Sequence, residues 1–137
     1  MKKYFFDTCI WVDLYEDRLG FNNEPLGEHA FNLIMHIIKS GCRIVISDLT
    51  LKELEINYSE GEIKALIKPF ESFLEKTYAT KEQIKEAKRI SSKRNLPAGD
   101  VLHALIAKEN FFLLVTRDKH FRQLKDLARP YKPEEIY

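Results

Sequence analysis

Cysteine is scarce in this chain. Only Cys9 and Cys42 carry a thiol, and they form no C-x-x-C pair. That argues against a disulfide scaffold or a zinc ribbon and fits a reducing, cytosolic setting. Long apolar runs are missing too: none approaches the ~18 residues that mark a membrane span. Asp7 and Asp13 interrupt the apolar stretch near the N-terminus, which argues against a signal peptide. Charge of one sign is likewise lacking, because 22 basic residues meet 21 acidic ones for a net charge of +1. Bulk charge therefore gives no support for nucleic-acid binding. Any attraction for RNA or DNA has to come from local basic residues and a bound cation. Internal repeats, low-complexity tracts and long linkers are also wanting. At 137 residues, with 45% hydrophobic and 31% charged side chains, the chain reads as one soluble globular domain spanning 1–137.

What is present is an alternation of strand and helix signals. Tyr4-Phe5-Phe6 suits a strand buried on both faces. A short helix follows over 8–16, then a loop at 20–27 and a helix over 28–40 that Gly41 ends. Arg43-Ile44-Val45-Ile46 is the second strand. Ser47 or Asp48 caps a helix over 49–58. The next helix, 60–75, is broken or kinked by Pro69. A short edge strand is predicted at 76–78, and a helix capped by Thr80 over 81–94. After a turn at 97–99 come a helix over 100–110, a strand over 112–116 and a helix over 119–127. A last short strand lies near 131, with Pro130 and Pro133 as edge markers. The pattern implies an α/β fold: a central parallel sheet of four to five strands with helices on both faces and right-handed crossovers.

Four acids stand where such a sheet collects ligands, just past the carboxyl ends of its strands. Asp7 follows the first strand, and Asp118 follows the strand at 112–116 by two residues. Asp100 opens a helix, with Ala104 and Ala107 on its face. Glu53 shares a helix face with Leu49 and Ile56, so it puts a carboxylate in an apolar stripe, which is costly unless paired or bound to a cation. Each has a plainer reading. Asp7, Asp100 and Asp118 suit helix caps, and Thr50-x-x-Glu53 is a capping-box pattern. Together, four converging carboxylates would repel one another and raise some of their pKa values, and a cation would offset that. All-oxygen ligands, with no Cys or His set close by in sequence, favour Mg²⁺ or Mn²⁺ over zinc.

These residues carry a resemblance. Tyr4-Phe5-Phe6-Asp7-Thr8, the segment Ser47 to Leu54, the stretch Gly99 to Ala107 and the run Leu114 to Phe121 occur in the order and spacing of the PIN-domain family of metal-dependent nucleases. In length the chain is similar to the single-domain VapC-type toxins of toxin–antitoxin pairs. The resemblance implies a PIN-like fold and an acidic pocket for Mg²⁺ or Mn²⁺ built from Asp7, Glu53, Asp100 and Asp118. It implies hydrolysis of single-stranded RNA by water, a cognate antitoxin protein as partner, and a homodimer. Other readings stay open within the fold: a non-catalytic module that binds protein or RNA, and an RNA-processing nuclease without an antitoxin.

Around these acids, Thr8 and Thr116 are expected to hydrogen-bond the carboxylates. Arg117, Lys119 and Arg122 are candidates for contacting substrate phosphates, with a solvated helix face as the simpler account of Lys119 and Arg122. His103 and His120 read as packing or surface side chains. Two other strand-end aspartate chemistries fit poorly. A phosphatase of the haloacid-dehalogenase type needs an acid two residues after Asp7, where this chain has Cys9. A receiver domain needs an acidic pair after strand one, where this chain has Asp7 alone.

Overall fold

The computed structural model of the chain describes residues 2–137. Five strands, β1 (Lys3–Phe6), β2 (Arg43–Ser47), β3 (Leu74–Thr77), β4 (Leu113–Val115) and β5 (Pro130–Tyr131), form one sheet in the order β3-β2-β1-β4-β5. Every ladder is parallel. In β1, Phe5 pairs with Val45 on one side and with Leu114 on the other, so the aromatic run is the sheet's central strand.

Alternation along β1 divides the core in two. Tyr4 and Phe6 join Ile44 and Ile46 beneath α1 (Thr8–Glu16), α2 (Leu26–Lys39), α3 (Asp48–Glu55) and α4 (Glu60–Ile67). Trp11, Leu33, Ile34 and Ile37 are fully buried in that layer. Phe5 and Val45 point the other way, against α5 (Lys81–Arg94) and α6 (Ala98–Asn110). Full burial of a side chain such as Phe5 contributes about 1.5–3 kcal/mol, and both faces of β1 gain it. That is why three adjacent aromatics are tolerated in one strand.

The strand order decides where a ligand sits. From β1 the chain moves outward to β2 and β3, then returns to the other side of β1 for β4 and β5. The direction of winding therefore reverses between β1 and β4, and in open α/β sheets the ligand crevice lies beyond the carboxyl ends of the strands at that switch point. Asp7 and Thr116 are the residues that emerge there.

Several boundaries differ from those the sequence predicts, each for a local reason. The helix expected over 60–75 stops at Ile67. Lys68–Phe73 continues as a 3-10 segment with Pro69 in its first turn, because proline has no N–H to donate and crowds the preceding turn. The edge strand then runs 74–77 rather than 76–78. α6 begins at Ala98, within what reads as a turn. The predicted helix over 119–127 is instead a 3-10 segment, Lys119–Leu124, followed by a turn. No helix among the described residues is long and apolar enough to cross a membrane.

Candidate metal centre

Asp7 follows β1 directly and caps α1. Its Oδ1 accepts from the Thr8 N–H at 2.8 Å, and its Oδ2 accepts from Thr116 Oγ1 at 2.8 Å. Its residue is only 5% exposed, so both oxygens are held in place. Thr116 also accepts from the Asp118 N–H at 3.1 Å. One hydroxyl thus ties the strand-end acid to the acid of the following segment.

Asp118 caps the 3-10 segment, its Oδ1 accepting from the His120 N–H at 2.9 Å. The imidazole of His120 turns back so that Nδ1 lies 2.9 Å from Asp100 Oδ2 and 3.1 Å from Asp118 Oδ1. Asp100 is the third residue of α6, which has Pro97 at its cap position, and its side chain is free of any capping bond. Burial, with the charges of Asp118 and then Asp7, pushes its carboxyl up to about 6. Here the mutual repulsion expected of converging acids is visible on a named group.

Glu53 approaches from α3. The capping-box reading of Thr50 and Glu53 fails, because Ser47 caps α3 by accepting from the Thr50 N–H. Glu53 Oε1 instead accepts from Thr8 Oγ1 and from His103 Nε2, the latter at 2.9 Å. Burial raises its pKa, yet the hydrogen bond and charge of His103, with the Thr8 hydroxyl, hold it below the ordinary glutamate value. A Cβ on Gly99 would lie 3.0 Å from Glu53 Oε2, so glycine at that helix start lets the carboxylate reach across.

His103 packs in the core as the sequence reading has it, but it and His120 also reach the acids, which that reading did not give them. His103 is fully buried in α6, with Nε2 also 3.4 Å from Asp7 Oδ1. Burial alone disfavours its charged form. The carboxylates of Glu53, Asp7 and Asp100 outweigh that and raise its pKa. Among the described residues its Nδ1 has no partner, so the proton common to both protonation states sits on Nε2. The result is two groups of potential ligands, Asp7 with Glu53 and His103, and Asp100 with Asp118 and His120, each with its ligand atoms within 4.8 Å of one another. In both, an imidazole stands between carboxylates where a cation would relieve the charge. The oxygen donors, and a carboxyl displaced by its negative neighbours, suit a hard divalent ion. His103 would have to give up Glu53 to become a ligand itself.

Two further side chains border the site. Cys9 lies beside the site, its Sγ 3.4 Å from Asp7 Oδ2 and 3.7 Å from Thr116 Oγ1. Burial, then the charge of Asp7, push the thiol well up, so it stays protonated. Arg117 does not face the acids as a free cation. Its guanidinium is gripped by Glu134, Nη1 to Oε2 at 2.9 Å and Nη2 to Oε1, with Asp13 Oδ2 3.7 Å from Nε. Asp13 is 4% exposed, and burial raises its carboxyl while Arg117 lowers it. Arg117→Met should therefore act on stability, by roughly 3–5 kcal/mol for a buried charge left without its partner. Urea unfolding should show that loss, while Lys119→Met, at an exposed position, should leave the midpoint nearly unchanged.

Residues 4–127 match the family model described as "PIN domain". Curated proteins give no match. Solved structures do. VapBC2 from Rickettsia felis, bound to a DNA fragment from their promoter, superposes with a TM-score of 0.68 at 20% identity, covering 95% of this chain and 98% of that one. A toxin–antitoxin complex from Klebsiella pneumoniae gives 0.67 at 17% identity, over 95% and 97% of the two chains. PAE2754 from Pyrobaculum aerophilum gives 0.59 at 19%, over 98% and 93%.

Proposed function

The chain belongs to the PIN-domain family, and from that premise we propose that it is a Mg²⁺- or Mn²⁺-dependent ribonuclease that hydrolyses single-stranded RNA, the toxin of a toxin–antitoxin pair. The observation that carries the proposal is the meeting of Asp7, Glu53, Asp100 and Asp118 at the switch point of the sheet, with Asp100 displaced to about 6 by its neighbours. Asp7 and Asp118 also cap the segments they open, but capping alone gives four acids no reason to gather at one rim. The antitoxin and the homodimer are part of the same reading. The neighbours from Rickettsia felis and Klebsiella pneumoniae, described as VapBC2 and as a toxin–antitoxin complex, support the antitoxin.

In this reading Asp7 and Asp100 are the principal ligands, and Glu53 and Asp118 complete the shell. A divalent ion bound among these oxygens supplies Lewis-acid polarisation of the scissile phosphate. The chain's own groups do the rest. Thr8 and Thr116 fix the directions in which Asp7 and Glu53 present their lone pairs, as outer hydrogen bonds do at metal sites. His103 Nε2 keeps its proton between Glu53 and Asp7 and stops the two carboxylates from spreading apart. The imidazole of His120, 38% exposed, stands against Asp100 and Asp118 at the rim, where a phosphate would enter from solvent. The low-exposure faces of Asp7 and His103 exclude water from the inner side.

The direct test is incubation of the purified chain with a mixed pool of single-stranded RNA in millimolar Mn²⁺, with and without EDTA. The expected result is fragmentation that EDTA abolishes. Intact RNA in both lanes would leave the non-catalytic binding module as the better account.

A further inference from the structure

The structure assigns a phosphate-binding track to the cleft beside Asp118, and we propose that it seats the backbone of a single-stranded RNA and leads it to the acid cluster. This rests on the ribonuclease reading above. The cleft has a volume of about 540 Å³; besides Arg117 its basic wall residues are Lys119, Arg122, Lys125, Arg129 and Lys132, against the acids Asp118 and Glu135. All five of these basic side chains are exposed, and among the described residues none is in an ion pair, unlike Arg117 next to them. Arg129 lies over the ring of Tyr131, 4.7 Å from its centroid, which holds the guanidinium in one place.

The 3-10 geometry of Lys119–Leu124 explains how the row forms. With three residues per turn, side chains at i and i+3 eclipse, so the segment has three distinct edges. Phe121 and Leu124, both fully buried, are the edge set into the core. His120 turns to Asp100 and Asp118. Lys119 and Arg122, continued by Lys125 at the capping position, form the third edge and line the cleft. At a rise of about 2.0 Å per residue, successive cations on that edge stand roughly 6 Å apart, close to the separation of consecutive phosphates along an extended single strand. An α-helix over the same residues would turn each successive cation away from the row.

Charge distribution points the same way. The whole chain carries +1, yet Arg117 to Lys132 holds six basic residues against two acids, so this segment is the local basic source that bulk charge fails to provide. One acid, Asp118, is where the row meets the metal site. A row of unpaired cations ending on a carboxylate cluster suits a polyanion that must be both held and cut. An acidic protein partner would gain from the row and lose against its end.

The experiment compares Arg122→Gln with Lys125→Gln combined, in an Asp7→Asn background so that bound RNA is not cut, against the same background alone. A charge-matched control carries Lys88→Gln and Lys93→Gln, both exposed on α5. Binding of a fluorescent 12-nucleotide RNA is followed across 50–300 mM salt, with melting temperature read on each protein. The expected result is a Kd raised roughly tenfold. The slope of log Kd against log salt should be shallower by about 1.4, at about 0.7 per lost phosphate contact. The melting temperature and the control variant's binding should be unchanged. An unaltered Kd and slope, or an equal loss in the control, overturns the track. Cleavage by the unsubstituted chain alongside an unaltered slope removes this inference alone. Neither binding nor cleavage by any form removes the ribonuclease reading with it.

Discussion

Asp7→Asn and Asp100→Asn should each abolish metal-dependent RNA cleavage while leaving the fold intact. The loss should exceed the roughly 10–100-fold that removing an outer hydrogen-bonding partner costs at a metal site, because these are the oxygens themselves. Asn at position 7 still presents a carbonyl oxygen to the Thr8 N–H, so the cap of α1 survives. It cannot also accept from Thr116 Oγ1 in the same way, a loss of about 1 kcal/mol. Circular dichroism should therefore be unchanged and the melting temperature only slightly lower. At position 100 the amide removes a charge that its neighbours oppose, and the metal-free variant should melt no lower than the parent at pH 7.5. A variant with full metal-dependent cleavage would show that the residue is not a ligand.

The second large effect is on stability. Millimolar Mn²⁺ should raise the melting temperature, because the acid cluster exists only in the folded chain. A free ion concentration a hundredfold above Kd contributes about 2.7 kcal/mol, roughly 9 °C for a chain of this size. The increment should depend on pH with a definite sign. Asp100 in the folded, metal-free chain titrates at about 6, above its unfolded value of 3.8. Its contribution to metal-free stability is therefore full below the unfolded value and is lost as pH rises through about 6. Above that range the carboxylate is charged and opposed by its neighbours, and an ion has the most to relieve. Below it, the ion competes with a proton. Differential scanning fluorimetry from pH 5 to 8 should show a Mn²⁺ increment that grows across pH 6. An increment that is absent or flat with pH would separate Asp100 from the metal.

Much of the architecture is legible in the chain because local and global preferences agree. Phe5 and Phe6 form a strand wherever a two-sided core exists, and Thr80 with Gln83 makes a capping box that starts α5 at the residue the pattern predicts. Asp7 is legible for the same reason: a carboxylate directly after a buried strand has only the rim to occupy. His103 and His120 are not. Within α6, His103 reads as one more residue of an apolar face, and the partner that gives it a role, Glu53, lies 50 positions away. Arg117 misleads in the opposite sense. Beside Asp118 it reads as a substrate contact, but Asp13 and Glu134, distant in sequence, take it. The segment after Asp118 reads as an α-helix, whereas the fold sets Phe121 and Leu124 into the core on a 3-10 segment. Gly99 is a signal that could have been used. A helix start that spends a glycine makes room for something, and here it is Glu53 Oε2.

The central position of β1 also sets a timetable. Its partners are β2, made about 40 residues later, and β4, made more than a hundred residues later. During synthesis the first strand therefore waits with one long edge bare until Leu113–Val115 leaves the ribosome. Thr116, Asp118 and His120 arrive only after that. A growing chain that already carries Asp7 cannot assemble the cluster around it until Thr116, Asp118 and His120 have followed β4 out, so the site takes shape only once the central strand has gained its second neighbour.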